Sequence, residues 1–177
     1  MNVLAAGCGF AAIGVESDEH ATEPVRRHGI RSSARLLLAE DNLINQKVAV
    51  GMLSHAGYRV DLALNGAAAI EAVATESYDA ILMDCHMPIL DGYEATRAIR
   101  AREGPDEHIP IVAVTAGSRL EDRQLCLSVG MDAYIAKPFT KDTLLTVVGD
   151  TIRDATSAAR PAAIERDETD SPEQEPA

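Results

Sequence analysis

The stretch Ile81 to Pro88 reads ILMDCHMP, an apolar run that ends on an acid and is soon closed by a proline. An unpaired carboxylate is costly to remove from water, so a buried strand rarely carries one without a reason. Asp84 therefore either caps the turn that follows or is the group that the strand holds in place. The residues on either side of this stretch decide between the two.

Five short apolar runs recur along the middle of the chain, each followed by a segment of helical character. The runs are RLLLA (35–39), YRVDLA (58–63), DAILM (79–83), IPIVAVT (109–115) and DAYIA (132–136). Residues suited to helix N-caps precede the helical segments: Asn42, Asn65, Asp91, Ser118 and Thr140. Strands that alternate with helices of this length predict an α/β fold, a doubly wound parallel sheet with helices on both faces.

Composition divides the chain into three regions. Residues 1–34 show no sustained periodicity, and we expect a poorly ordered leader or the remnant of a preceding linker. Residues 35–153 hold all the strand and helix patterns and are predicted to form the folded domain. Residues 154–177 are rich in Ala, Pro, Ser and acids. They have few large apolar groups to offset the entropy of ordering, so an acidic disordered tail is predicted.

The charge balance narrows the classes of partner. The 177 residues carry a formal net charge of −12. This charge disfavours direct binding to nucleic acid, which needs Lys and Arg to replace counterions, and to anionic membrane surfaces. No apolar run approaches the roughly 20 residues of a membrane span. The three scattered cysteines suit a reducing compartment, so we expect a cytoplasmic protein.

Polar residues gather where the predicted strands end. Glu40 and Asp41 follow the first strand, Asp84 the third, Thr115 ends the fourth and Lys137 follows the fifth. In sheets of this kind ligands bind outside the carboxyl ends of the strands, so we expect these groups to converge. Three carboxylates this close repel one another unless a cation lies among them. Hard oxygen ligands in small number favour Mg²⁺.

Each of these residues also has an ordinary structural explanation. Asp41 and Asp84 could cap a helix and a turn, Thr115 could simply end a strand, and Lys137 could be a solvated lysine. Because all of them are predicted to lie at one edge of the sheet, a reactive site is favoured over these separate structural roles. The reaction that suits it is phosphoryl transfer to Asp84, which forms an acyl phosphate. Positioning and charge neutralisation carry most of such a reaction, so it needs no general base.

Four motifs occur in order along the chain: AEDNLINQKVA, ILMDCHMPILDGYEATRAIR, VAVTAGS and GMDAYIAKPF. They resemble the receiver domain of two-component response regulators. The resemblance spans residues 35–153 and is strongest in pattern to receivers of hybrid sensor histidine kinases in phosphorelays. It implies a flavodoxin-like (βα)5 fold with strand order 2-1-3-4-5.

The resemblance also implies roles for the residues at the predicted edge. Asp84 would be the phosphoacceptor. The Mg²⁺ ligands would be Asp41, Asp84, the backbone carbonyl of His86 and, through a water molecule, Glu40. Where the family commonly has an aspartate, this chain has Glu40, a frequent variation.

A switch is implied at the other side of the edge. Thr115 and Tyr134 would be the pair that moves when phosphorylation adds charge to the site. The face made by the fourth helix, fifth strand and fifth helix would change as a result. Lys137 would neutralise a phosphoryl oxygen, and the bond between Lys137 and Pro138 would be cis.

The function implied is a phosphoacceptor that takes a phosphoryl group from a phosphohistidine donor, either a histidine kinase or a histidine phosphotransfer protein. Such a domain is not an enzyme, although it assists its own phosphorylation and dephosphorylation. A free-standing receiver, a fragment of a hybrid kinase and a phosphorylation-dependent dimer all stay open.

Three other functions compete with this one. A phosphorylation-independent binding module is one, although the full set of acceptor, acids, hydroxyl and lysine is present. An aspartyl-phosphate phosphohydrolase typically carries a second aspartate two residues after its nucleophile, where this chain has His86. A flavodoxin-like FMN binder needs a hydroxyl-rich phosphate loop after the first strand, where this chain has AEDN.

Overall fold

A five-stranded parallel sheet lies at the centre of the protein. The computed structural model describes residues 34–105, 107–117 and 120–158. The strands are β1 (Arg35–Ala39), β2 (Arg59–Ala63), β3 (Ala80–Asp84), β4 (Ile111–Thr115) and β5 (Ala133–Ala136). The helices are α1 (Leu43–His55), α2 (Gly66–Thr75), α3 (Gly92–Arg100), α4 (Leu120–Ser128) and α5 (Lys141–Ala158). The strand order is β2-β1-β3-β4-β5, which confirms the predicted topology.

Two apolar layers hold the helices on opposite faces of the sheet. Side chains alternate along a strand, so in β1 Leu36 and Leu38 join the layer beneath α1 and α5. Leu37 and Ala39 join the layer beneath α2, α3 and α4. The strands β3 and β4 are buried along their whole length. Burial on both faces explains why their sequences are continuous apolar runs.

Four of the predicted caps fix where the helices leave the sheet, including Thr140, whose Oγ1 accepts from Thr143 N at 3.2 Å at the start of α5. The side-chain oxygen of Asn42 accepts from Ile44 N at 2.9 Å, and that of Asn65 accepts from Ala68 N at 2.9 Å. The carboxylate of Asp91 accepts from Glu94 N at 2.8 Å. Each bond satisfies an N–H group that has no partner inside its helix. The remaining predicted cap, Ser118, lies outside the described residues.

The folded unit is longer than predicted at both ends. α5 continues to Ala158, so the prediction of a disordered tail from residue 154 is wrong for its first five positions. Ile152 packs against the sheet layer, and the helix propagates beyond this contact. At the other end Ala34, which was assigned to the leader, is buried and its carbonyl accepts from Arg59 N at 3.0 Å. Residues 1–33 and 159–177 lie outside the described part of the chain.

Helix α3 presents one apolar and one polar face, with Tyr93, Ala95 and Ile99 buried and Glu94 and Arg97 exposed. This pattern is typical of helices that cover a sheet in water. Among the residues that the structure describes, no helix is both long enough and apolar enough to cross a membrane.

Candidate functional site at the carboxyl ends of the strands

The five polar residues predicted to converge lie at one edge of the sheet. They follow or end β1, β3, β4 and β5, which are consecutive neighbours in the sheet. Carboxylate oxygens of Glu40, Asp41 and Asp84 lie within 4.8 Å of one another. Glu40 and Asp84 are buried, whereas Asp41 is exposed. The parallel topology therefore brings these five residues together, as their positions at the strand ends predict.

Lys137 links two of these carboxylates. Its Nζ donates to Glu40 Oε2 at 2.6 Å and to Asp84 Oδ2 at 2.7 Å. The side chains of Glu40 and Asp84 are 4% and 9% exposed. Buried carboxylates persist only when they are paired and hydrogen-bonded, and the ammonium group supplies both functions. Lys137 is therefore part of the acidic cluster and not a solvated lysine.

Glu40 is held by α1 as well as by the lysine. Its Oε1 accepts from Asn45 Nδ2 at 2.9 Å and from Asn42 N at 3.2 Å. Its backbone carbonyl accepts from Gln46 Nε2 at 2.6 Å. The sequence argument gave Asn45 and Gln46 no role. Their position in the sequence could have indicated this role. Both lie in the first turns of a helix that starts at the end of β1, and side chains there point back toward the strand end.

The two buried carboxylates differ in their proton affinity. Burial alone would raise the pKa of Glu40, but hydrogen bonds from Lys137 and Asn45 leave that pKa below its ordinary value. Asp84 has fewer donors, so burial dominates and its pKa is raised, with the charge of Glu40 adding to the effect. Burial opposes the charge of Lys137, yet hydrogen bonds to both carboxylates raise its pKa overall. The ammonium form is thereby secured.

The loop after β3 wraps around Asp84. His86 N donates to Asp84 Oδ1 at 3.1 Å, and Gly92 N donates to Cys85 O at 3.1 Å, closing the loop. Gly92 lies so close to the strand that a Cβ atom there would sit 2.2 Å from the carbonyl oxygen of Asp84. The side chain of His86 is exposed. Its backbone N–H hydrogen-bonds to Asp84, and its carbonyl remains a predicted metal ligand.

Thr115 and Tyr134 occupy different environments. The Thr115 hydroxyl is buried and accepts from Gly117 N at 3.0 Å, while its carbonyl accepts from Lys137 N at 2.7 Å. The Tyr134 ring is partly exposed and lies 5.0 Å from the guanidinium carbon of Arg123 on α4. The tyrosine therefore faces outward in this conformation. The predicted cis bond between Lys137 and Pro138 is present.

Cys85, next to the candidate acceptor, is a packing residue. Its side chain is fully buried, and its Sγ lies 3.8 Å from Sγ of Cys126 on α4. Burial raises the pKa of the Cys85 thiol to about 12. Because the thiolate is the reactive form, this environment makes Cys85 unreactive at neutral pH.

The donor set suits a hard divalent cation. Three carboxylates offer oxygens within a few ångströms, and oxygen ligands of this kind suit Mg²⁺ in proteins. Lys137 already satisfies one oxygen of Glu40 and one of Asp84. Asp41, exposed at the mouth of the cluster, has its carboxylate directed to the same place.

Comparison with known proteins agrees with the geometry. Residues 36–149 match the family model described as response regulator receiver domain. The chain is 44% identical over 125 residues to hybrid signal transduction histidine kinase B of Dictyostelium discoideum, a match that spans 64% of this chain and 6% of that protein. It is 38% identical over 138 residues to histidine kinase 5 of Arabidopsis thaliana, covering 64% of this chain and 15% of the other. The chain thus spans a small part of these relatives.

Solved structures show the same fold. The receiver domain of a sensor histidine kinase from Pseudomonas aeruginosa, solved with a magnesium ion in its active site cleft, is 45% identical with a TM-score of 0.64. That match covers 68% of this chain and 98% of the other. A chemotaxis response regulator of Vibrio cholerae is 28% identical with a TM-score of 0.63, over 67% of this chain and 98% of the other. The chain belongs to the response regulator receiver domain family of two-component signal transduction.

Proposed function

We propose that Asp84 accepts a phosphoryl group from a phosphohistidine of a donor protein. The observation that carries the proposal is the shared contact of Lys137 Nζ with Asp84 Oδ2 and Glu40 Oε2 at the open edge of the sheet. An ammonium group in this position is ready to neutralise an oxygen of an incoming phosphoryl group. Charge neutralisation and alignment are the main requirements of phosphoryl transfer.

The transfer requires little else of the protein. One carboxylate oxygen of Asp84 bonds to phosphorus while the bond from phosphorus to the donor's imidazole nitrogen breaks. The electron pair of that bond stays on the nitrogen, and a proton carried by the other ring nitrogen lets the donor's side chain leave as neutral imidazole. Asp84 is already anionic when it reacts, so no group has to remove a proton from it.

The acidic cluster would hold Mg²⁺. Asp41, Asp84, the carbonyl of His86 and, through water, Glu40 are the proposed ligands, and the Pseudomonas relative supports this assignment with magnesium in its own cleft. Bound there, the ion supplies positive charge to the phosphoryl oxygens. Asn45 and Lys137 fix the carboxylate of Glu40, so this side of the cluster is set before any ligand arrives.

Phosphorylation would change the contacts of Thr115 and Tyr134. The Thr115 hydroxyl accepts from Gly117 N, and its own O–H can donate to a phosphoryl oxygen, which is a strong acceptor. The hydroxyl would turn toward the phosphoryl group and give up its contact with Gly117 N. The space it leaves would allow the Tyr134 ring to leave Arg123 and turn inward. The face made by α4, β5 and α5 would then differ between the two states, and the phosphate biases the equilibrium. A phosphorylation-dependent dimer and a cytoplasmic location stay predictions.

Intact mass spectrometry after incubation with acetyl phosphate and Mg²⁺ tests the proposal. Unmodified protein should gain one labile phosphoryl group, and Asp84→Asn should gain none. Asp91→Asn is the matched control, because asparagine also caps a helix and the site is left intact. An equal gain in Asp84→Asn would refute the assignment. No gain in any variant would favour the phosphorylation-independent binding module.

A further inference from the structure

Ile89, in the loop between β3 and α3, combines two unfavourable features. Its side chain is 84% exposed, and its backbone φ is 73°. A β-branched residue rarely adopts a positive φ, because its side chain crowds the backbone there. Leu90 N donates to Pro88 O at 2.9 Å, which makes Ile89 the central residue of a tight three-residue turn. Turns of this kind with positive φ are rare and strained.

The surrounding structure holds the loop in this conformation. Gly92 N donates to Cys85 O at 3.1 Å and closes the loop at its base. Leu90 O accepts from Gly66 N at 3.0 Å, which ties the turn to the start of α2. The side chain of Asp91 caps α3 immediately afterwards. The strained turn is therefore built in, and its effect is to direct an isoleucine into solvent.

Ile89 lies beside the acceptor edge together with other exposed apolar side chains. α1, which follows the neighbouring strand β1, begins with Leu43 and Ile44, which are 65% and 72% exposed. α1 covers one face of the sheet and α3 the other, so these groups flank the edge that carries Asp84 from two sides. Apolar side chains exposed on both sides of a buried functional group are available to a protein that covers that group.

A donor protein has to cover this surface. Transfer requires the donor's histidine to bring its phosphoryl group into contact with Asp84, whose side chain is 9% exposed and lies at the bottom of the loops. The donor's backbone must then lie within one side-chain length of the edge, over the loops that rim it. A small phosphodonor reaches the same carboxylate without touching Ile89.

We propose that Ile89 is a donor-recognition residue, whose side chain enters an apolar recess next to the phosphohistidine of the donor protein. The inference rests on the proposed function, since it presumes that Asp84 is the acceptor. The strain at residue 89 is explained by this role, because the turn aims the side chain away from its own protein. The contact contributes to binding of the donor and not to the chemical step.

The test compares two donors that carry the same phosphorus–nitrogen bond. One is phosphoramidate, and the other is a histidine phosphotransfer protein, phosphorylated on histidine, that labels the unmodified chain. Ile89→Asn removes the apolar surface and keeps the turn, since asparagine tolerates positive φ. Ile89→Val keeps an apolar β-branched side chain. Leu127→Gln is the control, because Leu127 is 49% exposed at the C-terminal end of α4, far along the helix from the edge.

With the protein donor below saturation, Ile89→Asn should slow labelling about tenfold, because burial of an isoleucine side chain is worth at least that in affinity. Ile89→Val and Leu127→Gln should label at nearly the unmodified rate, and all variants should react equally with phosphoramidate. Equal slowing with both donors would overturn the proposal, since Ile89 would then act within the site. Unchanged rates with both would overturn it as well. Failure of phosphoramidate to label the unmodified chain would instead refute the proposed function.

Discussion

Replacement of Gly92 by alanine gives the sharpest test of how the acceptor is positioned. A Cβ atom at residue 92 would lie 2.2 Å from Asp84 O and 3.0 Å from both Asp84 C and Cys85 Cα. All three are backbone atoms, which no side-chain rotation can move aside. Ordinary contact begins at 3.4 Å, so α3 and the end of β3 must separate by roughly an ångström.

The expected cost follows from two opposing effects. Overpacking of this kind destabilises a protein by about 1–3 kcal/mol, whereas alanine is a better helix former than glycine by about 1 kcal/mol. The contact is with main chain in the core, so overpacking should cost the upper part of its range, about 2–3 kcal/mol, and Gly92→Ala should lose about 1–2 kcal/mol on balance. With a typical urea dependence this lowers the unfolding midpoint by about 1 M. A displacement of about 1 Å at Asp84 should also slow labelling by acetyl phosphate by up to about 100-fold.

The control is the same substitution in another helix. Gly51 lies inside α1, and a Cβ atom there would meet nothing within 4 Å. Gly51→Ala should therefore stabilise the protein by about 0.5–1 kcal/mol and leave labelling unchanged. Urea unfolding followed by circular dichroism measures both variants. If Gly92→Ala unfolds at or above the urea concentration of the unmodified protein, the close approach of α3 does not constrain Asp84 and the reasoning is wrong.

Two further predictions concern the charged groups. Because the pKa of Asp84 is raised in the folded protein, the unfolded chain releases this proton at a lower pH. The folded state therefore loses stability as pH rises from the ordinary carboxyl pKa of 3.8 through the higher folded value. Asp84→Asn should therefore stabilise the protein at about pH 7 and much less at about pH 4. Urea titrations that show the same gain in unfolding free energy at both pH values would contradict this prediction. Arg100 donates to two backbone carbonyls and pairs with Glu103 and Asp132, with 17% of its side chain exposed. Arg100→Met should lower the free energy of unfolding by about 2–3 kcal/mol. Arg153→Met is the control, because the pair of Arg153 with Asp150 is half exposed, and it should lower that free energy by less than about 0.5 kcal/mol. Equal effects in thermal unfolding would argue against a structural role for the Arg100 network.

The fold followed from local patterns and one topological rule. Apolar runs predicted the strands, and four helix starts were predicted by cap residues, because a cap is a contact between residues two or three apart: Asn42, Asn65, Asp91 and Thr140. Parallel strands then bring their carboxyl ends to one edge whatever lies between them. The convergence of Glu40, Asp84 and the other site residues needed no further information.

Contacts across long sequence distances could not be predicted in the same way. Lys137 and Glu40 are 97 residues apart, and the sequence does not show that the lysine would bridge two carboxylates. The positive φ of Ile89 was also hidden, because glycine or asparagine is the usual sign of that conformation. The end of α5 differs from the prediction for another reason. Its last residues, DATSA, have the composition of a tail, but they continue a helix that is anchored by Ile152.

The formal charge of the site argues that a divalent cation is needed before a phosphoryl group can approach. Glu40, Asp41 and Asp84 contribute three negative charges, and Lys137 contributes one positive charge. The cluster thus carries a net charge of −2, two of its carboxylates are buried, and an incoming phosphoryl group is itself an anion. The single positive charge of Lys137 leaves this balance negative, although its ammonium group can also contact a phosphoryl oxygen. A divalent cation held at the proposed ligands Asp41 and Asp84 would make the cluster neutral and would so remove the repulsion of the phosphoryl group.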